Sequence, residues 1–453
     1  MQNRVNRYNM KILFNIVIIV ALVFTNISLK AQDFSQLVNK AWENNQELKS
    51  KNFQLQGAAQ SLNEAKALYG PEVKFGVQYS LASGGRSIAF PVGDLLNPVY
   101  STLNQITQTN AFPQISNVKE QFLPNNFYDA RFRVTQPIFY PDLAINKKLK
   151  SEIVEQKSIE IKAFKRLISK EIMQAYFQYK SAGQAIEIFQ SADTLLNEAK
   201  RSTQSMIRNG VALPTSMSRL ENQTAELLSQ KTEAMANHNN AEKLLRFLLG
   251  INENEPLPIV SNLPQMPTNS LDQKGQREEL LQIRQAMKMQ SLAVEQEGNY
   301  YIPKIGVQLD AGSQDFDFQW QPYVLLGLNV DMNIYDSKRH QYRKQAAKAN
   351  IMATEAQLTH TENQLSLQQK VSEENLKAAI IQANVFEARI KATKKLYDEV
   401  FIKYKEGSAG YIELIDAQTQ YTQIRIQHLL ANNNAWMKWA EYVYVAAIYP
   451  IQQ

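Results

Sequence analysis

The chain has 453 residues, enough for two or three ordinary domains or one elongated one, and its stretches rich in alanine, glutamine, lysine, glutamate and leucine favour long helices. It contains no cysteine, which excludes disulfides, thiolate chemistry, cysteine-ligated metal and a lipid-modified N-terminal cysteine. The formal net charge of the chain is +6, but residues 32–453 carry only +2, because residues 1–31 contain four basic and no acidic residues. The sequence has no basic patch interleaved with aromatic residues, so nucleic acid is not an expected partner.

Residues 1–31 have the pattern of an export signal. Basic residues precede a 13-residue apolar run, Ile12–Phe24, which is too short to span a bilayer and is typical of a signal peptide cut after Ala31. The rest of the chain has no apolar run of 18 residues, so no membrane-spanning helix is predicted. If the mature chain enters a membrane, it must do so as a β-barrel.

The first strand is predicted where the spacing of apolar residues changes. A helical pattern runs from Asp33 to about Tyr69 and stops at Gly70-Pro71. Residues 71–81 then alternate strictly between polar and apolar side chains, which predicts a strand with one face of each kind. The apolar face consists of Val73, Phe75, Val77, Tyr79 and Leu81.

A second alternating run predicts a strand at residues 128–139, after a polar loop at residues 82–127 that contains glycine, proline and asparagine. The polar face of this strand carries Arg131 and Arg133, which is costly unless that face is wet. Taken alone, the pattern favours the exposed side of a soluble sheet.

The longest predicted helix runs from about Asp142 to Asn209. At a rise of 1.5 Å per residue it would extend roughly 100 Å, so it needs helical neighbours along its length. It ends at a turn that contains Gly210, after which a helix returns to Gly250. Residues 251–275 are predicted to be a linker, because they contain four prolines.

The same order of elements recurs after the linker. A helix at residues 276–301 precedes strands at residues 304–312 and 323–334. A helix of about 70 residues then leads to a turn that contains Gly407, and a last helix returns to Tyr449.

The sequence therefore predicts two structural repeats, residues 32–250 and 276–453. The two turn glycines are 197 residues apart, and the tyrosines that open the long helices, Tyr140 and Tyr335, are 195 apart. An offset that stays nearly constant along so long a segment indicates a duplication.

Glu413 and Asp416 stand three residues apart at the start of the last helix. Such a pair faces one side of a helix, and the helix dipole stabilises carboxylates there. From the spacing alone, we interpret them as solvated acids of a capped helix hairpin. No catalytic site is predicted, since the four histidines lack metal-ligand spacing and neither a phosphate-binding loop nor a nucleophile elbow occurs in the sequence.

The sequence resembles the TolC family of outer-membrane efflux and secretion channels over essentially the whole chain after residue 31. The resemblance rests on the unit helix–strand–strand–helix–turn–helix, which occurs twice, and on local matches whose order and spacing are specific. The matching segments are Gln136-Pro137-Ile138-Phe139, Leu271…Arg277-Glu278-Glu279-Leu280, Asn333-Ile334-Tyr335-Asp336 and Tyr404…Gly407…Leu414…Asp416-Ala417-Gln418.

The resemblance implies a mainly α fold with a membrane β-barrel. Long α-helical coiled-coil hairpins and four strands per chain would assemble as a homotrimer into a periplasmic tunnel and a 12-stranded barrel. It implies a passive channel without enzymatic activity or cofactor, in the outer membrane of a Gram-negative bacterium with a periplasmic extension. The partners of such a tripartite efflux or type I secretion system are a periplasmic adaptor, an inner-membrane RND or ABC pump and outer-membrane lipid.

By position, the resemblance implies that Glu413 and Asp416 ring the pore constriction in three copies and favour cations. Five further residues would belong to the gate at the two turns: Tyr404, Gly407, Gly210, Thr215 and Arg208. Ser216 and Ala409 depart from the family, where charged residues link the closed gate, and Arg208 is the candidate substitute partner.

A periplasmic coiled-coil adaptor, or a structural protein associated with the outer membrane, is the alternative interpretation. It accounts for the helices and the export signal, but not for two pairs of amphipathic strands at matching places in both repeats. The cargo stays open, because drugs, metal ions and secreted proteins all leave through channels of this architecture.

Overall fold

The computed structural model describes residues 32–258, 260–262 and 275–448. The predicted signal peptide at residues 1–31, the middle of the predicted linker and the predicted helix end at Tyr449 lie outside the described residues.

Long helices and short strands alternate along the described chain. Up to the linker, the elements are β1 (Gln32–Asp33), α1 (Phe34–Asn44), α2 (Gln46–Ala67), β2 (Glu72–Ser80), β3 (Ser87–Phe90), α3 (Val92–Thr107), β4 (Val118–Gln121), β5 (Phe127–Phe139), α4 (Pro141–Arg208) and α5 (Thr215–Leu249). The remaining elements are β6 (Val260–Asn262), α6 (Glu278–Gly298), β7 (Lys304–Phe316), β8 (Pro322–Asp331), α7 (Arg339–Lys405) and α8 (Tyr411–Ala446). The prediction of a mainly helical chain is thus confirmed. Among the described helices, none has both the length and the apolar character needed to cross a membrane.

The four longer strands form one antiparallel sheet in the order β2-β5-β7-β8. One row of the register aligns Phe75, Phe132, Ala311 and Val324 across the sheet. Because side chains alternate between the two faces of a strand, the apolar positions of all four strands share one face and the polar positions share the other. Pairing with β5 extends β7 to Phe316, beyond the predicted end of that strand.

The prediction of a loop at residues 82–127 is wrong in part, since this segment contains α3 and the antiparallel pair β3–β4. Asparagine side chains organise it. Asn97 exchanges two hydrogen bonds of 2.9 Å with the backbone of Ile115. Asn104 makes a similar pair, of 2.8 and 3.1 Å, with the backbone of Phe112. The polar residues that indicated a loop supply the bonds that fold it.

The single helix predicted from Asp33 to Tyr69 is two helices, α1 and α2. The break lies at Asn45, whose side-chain oxygen accepts a hydrogen bond of 2.9 Å from the backbone N–H of Leu48 and so caps α2. Within the predicted linker, β6 pairs in parallel with β1, so that part of the linker is ordered by the start of the described chain.

The two long helices have different beginnings. Proline, which suits the first helical position, opens α4 at Pro141. By contrast, α7 begins at Arg339 and not at Asp336 as predicted, because Ser337 and Lys338 have φ of 57° and 67°. This left-handed backbone does not continue into a right-handed helix.

The described chain divides into two compact units. One consists of the residues up to Leu55, Gln156–Arg284 and the residues from Ala356 onward, and the other of Gln56–Glu155 and Gln285–Glu355. Each unit contains segments of both predicted repeats, so the repeats are not themselves the compact units. In the first unit, α1, α4, α5 and α8 bury a core in which Phe177 stacks on Trp436 at 4.5 Å. The sheet belongs to the second unit.

Candidate functional site

Both turns between the long helices end the preceding helix with the same backbone motif. Gly210 and Gly407 have φ of 74° and 75°, a left-handed conformation that glycine adopts without steric cost. Each glycine N–H donates to the carbonyl three residues earlier, and the following N–H donates to the carbonyl five residues earlier. The latter bonds join Val211 to Met206 at 2.8 Å and Ser408 to Lys403 at 2.9 Å. This is the Schellman motif, and it explains why both turns contain a glycine.

Tyr404 links the second turn to α4. Its side chain is 2% exposed, and its hydroxyl lies 2.5 Å from that of Thr203, which is also buried. Because Thr203 donates its own proton to the carbonyl oxygen of Ala199 at 2.8 Å, Tyr404 is the donor in the pair. Thr215, which the sequence associates with the same gate, is exposed at the start of α5. Sequence reasoning missed Thr203, since a threonine inside a helical pattern carries no signal of its partner.

An apolar cluster lies beneath both turns and joins α4, α5, α7 and α8. Its buried members include Leu196, Ala199, Leu220, Tyr397, Tyr404, Leu414 and Ala417. Ala409 packs against it from the second turn, and Ser216 is buried at the start of α5. Apolar packing, the hydroxyl pair and a contact of 5.7 Å between the Arg219 guanidinium and the ring of Tyr411 therefore join the segments around the two turns.

Among the described titratable groups of this cluster, Tyr397 has the largest shift in pKa. Burial raises the pKa of Tyr397 to about 12, with a further contribution from the negative charges of Glu198 and Asp398. Its ring stacks on Phe401 at 5.7 Å and on Tyr421 at 6.0 Å. The phenol thus stays neutral within the apolar contact that connects α7 to α8.

Glu413 and Asp416 are both exposed on the first turns of α8, while Leu414 between them is buried. The Asp416 carboxylate accepts a hydrogen bond of 2.9 Å from the side chain of Gln420. Arg208 is exposed at the end of α4, and among the described contacts it forms no ion pair with either acid. The two carboxylates thus share one exposed helix face, as their spacing predicts, and the candidate role of Arg208 as a gate partner stays a prediction.

The apolar face of the four-stranded sheet is exposed. On the outer strands, Val73 and Phe75 of β2 and Val324 and Leu326 of β8 all project from this face, and Val324 is 75% exposed. In a soluble antiparallel sheet the apolar face packs on the core and the polar face meets water. In this sheet the apolar face is exposed, and the charged residues that are buried, Asp129 and Asp310, lie on the polar face of the inner strands.

The charges on the polar face are paired, one pair between strands and one within a strand. Arg133 donates two hydrogen bonds of 2.8 Å to the carboxylate of Asp310, and Gln308 donates a third, of 2.9 Å. Arg131 pairs with Asp129 at 2.7 Å on the same strand. Asp310 is only 3% exposed, in spite of its charge. The sequence singled out the two arginines, but their partners depend on the strand register, which the sequence alone does not supply.

A buried ionic cluster lies in the first unit. Arg166 of α4 is 2% exposed, and its guanidinium lies 2.7 Å from a carboxylate oxygen of Glu278 and 2.6 Å from one of Glu279. It also donates to the carbonyl oxygen of Tyr444 at 2.7 Å. Burial opposes the ionisation of Glu279, but hydrogen bonds from Arg277 and the charge of Arg166 outweigh it and lower the pKa of Glu279 to about 2. The cluster therefore connects α4, α6 and α8.

Two of the four histidines have close individual partners. His340 lies 2.9 Å from a carboxylate oxygen of Asp336, and the ring of His238 packs on Tyr179 at 4.5 Å. In the part of the chain that the structure describes, no group of three or more histidine, aspartate or glutamate residues is placed to hold a metal ion.

No protein-family model matches this chain, and neither does any curated protein. Solved structures do match it. The Campylobacter jejuni CmeC outer membrane channel superposes with a TM-score of 0.71 at 13% identity, over 92% of this chain and 86% of its own. The outer membrane protein VceC from Vibrio cholerae gives 0.70 at 13%, over 91% and 95%. The Neisseria gonorrhoeae MtrE outer membrane channel gives 0.69 at 12%, over 91% and 88%. The fold of the single chain expected from the resemblance, long helical hairpins with four strands, is thereby confirmed.

Proposed function

We propose that this chain, which has the fold of these outer-membrane proteins, is itself an outer-membrane channel of the TolC family. It acts without catalysis as the passive exit duct of a tripartite efflux or type I secretion system in a Gram-negative bacterium. One observation carries the proposal: the four-stranded sheet exposes its apolar face and pairs its charges on the other face. The resemblance in sequence and the shared fold support it.

Lipid is the environment in which these two faces are stable. Removing a valine, leucine or phenylalanine side chain from water is worth about 1.5–3 kcal/mol, so the exposed row that contains Phe75 and Val324 is unfavourable in water. In a membrane barrel the same row meets hydrocarbon, whereas Arg133 and Asp310 line a wet interior. A soluble sheet would have the opposite arrangement.

Further copies of the chain can pair the open edges of the sheet. β2 and β8 are the outer strands of the described sheet, so each has one edge without a strand partner within the chain. A bilayer does not tolerate open strand edges, because no water is present to bond their backbone groups. Pairing β8 of one copy with β2 of the next would close the sheet into a barrel with no edge, and the resemblance to the TolC family implies that three copies do so with 12 strands.

The two turns suit the docking of a periplasmic adaptor. Val211 and Leu213 are exposed at the first turn and Ile412 at the second, beside the carboxylate of Glu413. Exposed apolar side chains on an ordered turn favour a protein partner. An inner-membrane RND or ABC pump then supplies the energy that a passive duct lacks.

The alternative, a periplasmic coiled-coil adaptor or a structural protein attached to the outer membrane, does not explain the exposed apolar sheet. Membrane extraction separates the two functions. We expect the channel to stay in outer membranes washed with carbonate or urea, and the purified chain to conduct ions across planar bilayers. A variant with Val324→Asp and Leu326→Asp places two charges on the apolar face and should fail to insert. A wild-type chain that washes off and does not conduct would overturn the proposal.

Photo-crosslinking from Ser408 identifies the partners. Ser408 is exposed in the second turn, and a crosslinking residue there reaches whatever docks on it. Capture of an adaptor with a proton-driven pump supports efflux, and capture of an adaptor with an ATP-driven exporter supports secretion. Asn350, exposed on α7, is the matched control position. Recovery of cytoplasmic proteins alone from Ser408 would count against docking at the turn.

A further inference from the structure

The segment between β8 and the first turns of α7 exposes basic and aromatic side chains. Tyr335 is 81% exposed, Tyr342 is exposed as well, and between them Lys338 and Arg339 are also exposed. Residues 334–348 contain five lysines or arginines and one acidic residue. This is a concentrated positive charge beside large aromatic rings.

The acid of this segment is bonded elsewhere. Asp336 is 8% exposed; its Oδ2 accepts a hydrogen bond of 2.8 Å from the backbone N–H of His340, and its Oδ1 lies 2.9 Å from Nδ1 of the same histidine. Burial opposes the ionisation of Asp336, but these bonds outweigh it and lower its pKa. The ring of His340 stacks in turn on Tyr300 at 4.1 Å. The carboxylate is therefore held by His340 and does not pair with Lys338.

The acids beside this segment neutralise only part of its charge. Glu297 accepts a hydrogen bond of 2.8 Å from Arg343, one of the five cations, and is therefore paired with that residue and not with Lys338 or Arg339. Asp331 lies on the polar face of β8, opposite to the exposed apolar face. Arg339 donates through Nε to the carbonyl oxygen of Asp336 at 3.0 Å, which orients its guanidinium without using a carboxylate.

The basic segment continues the exposed apolar face of β8. β8 ends at Asp331, before the predicted end at residue 334. Val330 in β8 and Met332 and Ile334 after it are exposed apolar residues at alternate positions, and Tyr335 follows directly. A chain that leaves the hydrocarbon core of a bilayer passes through the zones of the membrane in the order in which these side chains occur. Apolar residues lie in the acyl chains, aromatic rings at the interface, and lysine and arginine reach the phosphates beyond.

We propose that Lys338 and Arg339, flanked by Tyr335 and Tyr342, bind the headgroup phosphates of anionic phospholipids in the periplasmic leaflet of the outer membrane. This inference rests on the proposed function, which puts the apolar face of β8 in lipid. The occupant is an anionic lipid because the exposed cations outnumber the acids beside them, whereas a zwitterionic headgroup brings its own cation. The contact sets the depth at which the junction between strand and helix lies in the membrane.

Lipid binding to the assembled channel tests the site. The wild-type chain and a variant with Lys338→Gln and Arg339→Gln are reconstituted in nanodiscs of mixed phosphatidylethanolamine and phosphatidylglycerol, and the lipids that stay bound are counted by native mass spectrometry. Each basic residue near an anionic surface contributes about 1 kcal/mol of attraction, so the variant should lose about tenfold or more of its preference for phosphatidylglycerol. A control with Lys370→Gln and Lys391→Gln removes the same charge from exposed positions further along α7 and should keep the preference.

The outcomes separate this site from the proposed function. A wild-type channel that conducts in bilayers but shows no preference between the two lipids overturns the lipid site and leaves the channel intact. Equal losses in the variant and the control overturn it too, because they reflect net charge alone. A wild-type chain that neither inserts nor conducts overturns the channel, and with it the premise of the site.

Discussion

The hydroxyl of Tyr404 donates a hydrogen bond of 2.5 Å to that of Thr203, and both side chains are buried beneath the two turns. This pair connects the last turn of α7 to α4. The charged links that the resemblance would place at Ser216 and Ala409 are replaced by uncharged residues. We therefore propose that this hydrogen bond helps to hold the two turns together when the channel is closed.

The substitution Tyr404→Phe keeps the ring and removes this hydrogen bond. A net loss of about 1 kcal/mol is expected, because the hydroxyl of Thr203 keeps its bond to the carbonyl oxygen of Ala199. We expect a lower midpoint of thermal unfolding and a larger single-channel conductance in planar bilayers, since the turns separate more easily. Tyr421→Phe is the matched control, because that ring packs on Tyr397 in the same cluster. If both variants conduct like the wild type, the hydroxyl pair does not hold the gate.

The carboxylates of Glu413 and Asp416 should set the ion selectivity of the channel. In a trimer each residue occurs three times, and a ring of negative charge attracts cations into a constriction. The double substitution Glu413→Gln and Asp416→Asn should lower the cation-to-anion permeability ratio several-fold, measured from reversal potentials in a salt gradient. Asp398→Asn with Glu399→Gln makes the same change in charge on exposed positions of α7 and serves as the control. Unchanged selectivity in the first variant would remove both residues from the pore.

The long helices and the four longer strands could be predicted from the sequence because their signals are periodic and local. The alternation of residues 71–81 and the nearly constant offset between the repeats need no knowledge of tertiary contacts. The hydrogen bonds of Asn97 and Asn104 do need it, because their partners lie in a segment that composition describes only as polar. The prediction of a loop at residues 82–127 failed for this reason.

The candidate site was predictable to a smaller extent. Gly210 and Gly407 could be assigned to turns, since a left-handed helix end has a residue preference. Thr203 and Asp310 could not, because each acquires its role from a partner more than 170 residues away in the sequence. Register and helix packing supply these contacts, and neither is encoded in a local pattern.

The stability of the first unit should depend on pH through Glu279. Its pKa is lowered from 4.5 to about 2 in the folded chain, so its stabilising effect is complete above pH 4.5 and is lost as the pH falls towards 2. Glu279→Gln should lower the midpoint of thermal unfolding at pH 7, because the buried Arg166 loses one of its two carboxylate partners. The variant should also lose less stability between pH 4.5 and 2 than the wild type. Circular dichroism melts at a series of pH values measure both effects.

Glu64→Gln is the control for that series, because Glu64 is exposed on α2. We expect it to melt like the wild type at every pH. Parallel pH profiles for Glu279→Gln and the wild type would show that the carboxylate does not carry the acid sensitivity.

The ion pair between Arg133 and Asp310 should stabilise the sheet, because it joins β5 of one repeat to β7 of the other. Asp310→Asn removes the charge that compensates the guanidinium and weakens a contact with two hydrogen bonds. We expect the assembled channel to dissociate at a lower temperature in semi-denaturing electrophoresis. The double substitution Arg133→Asp and Asp310→Arg restores opposite charges across the same pair of strands and should recover part of the loss. Asp331→Asn, at an exposed position on β8, is the control. If the double variant is no more stable than Asp310→Asn, the contribution of Asp310 comes from packing at its site and not from its pairing with Arg133.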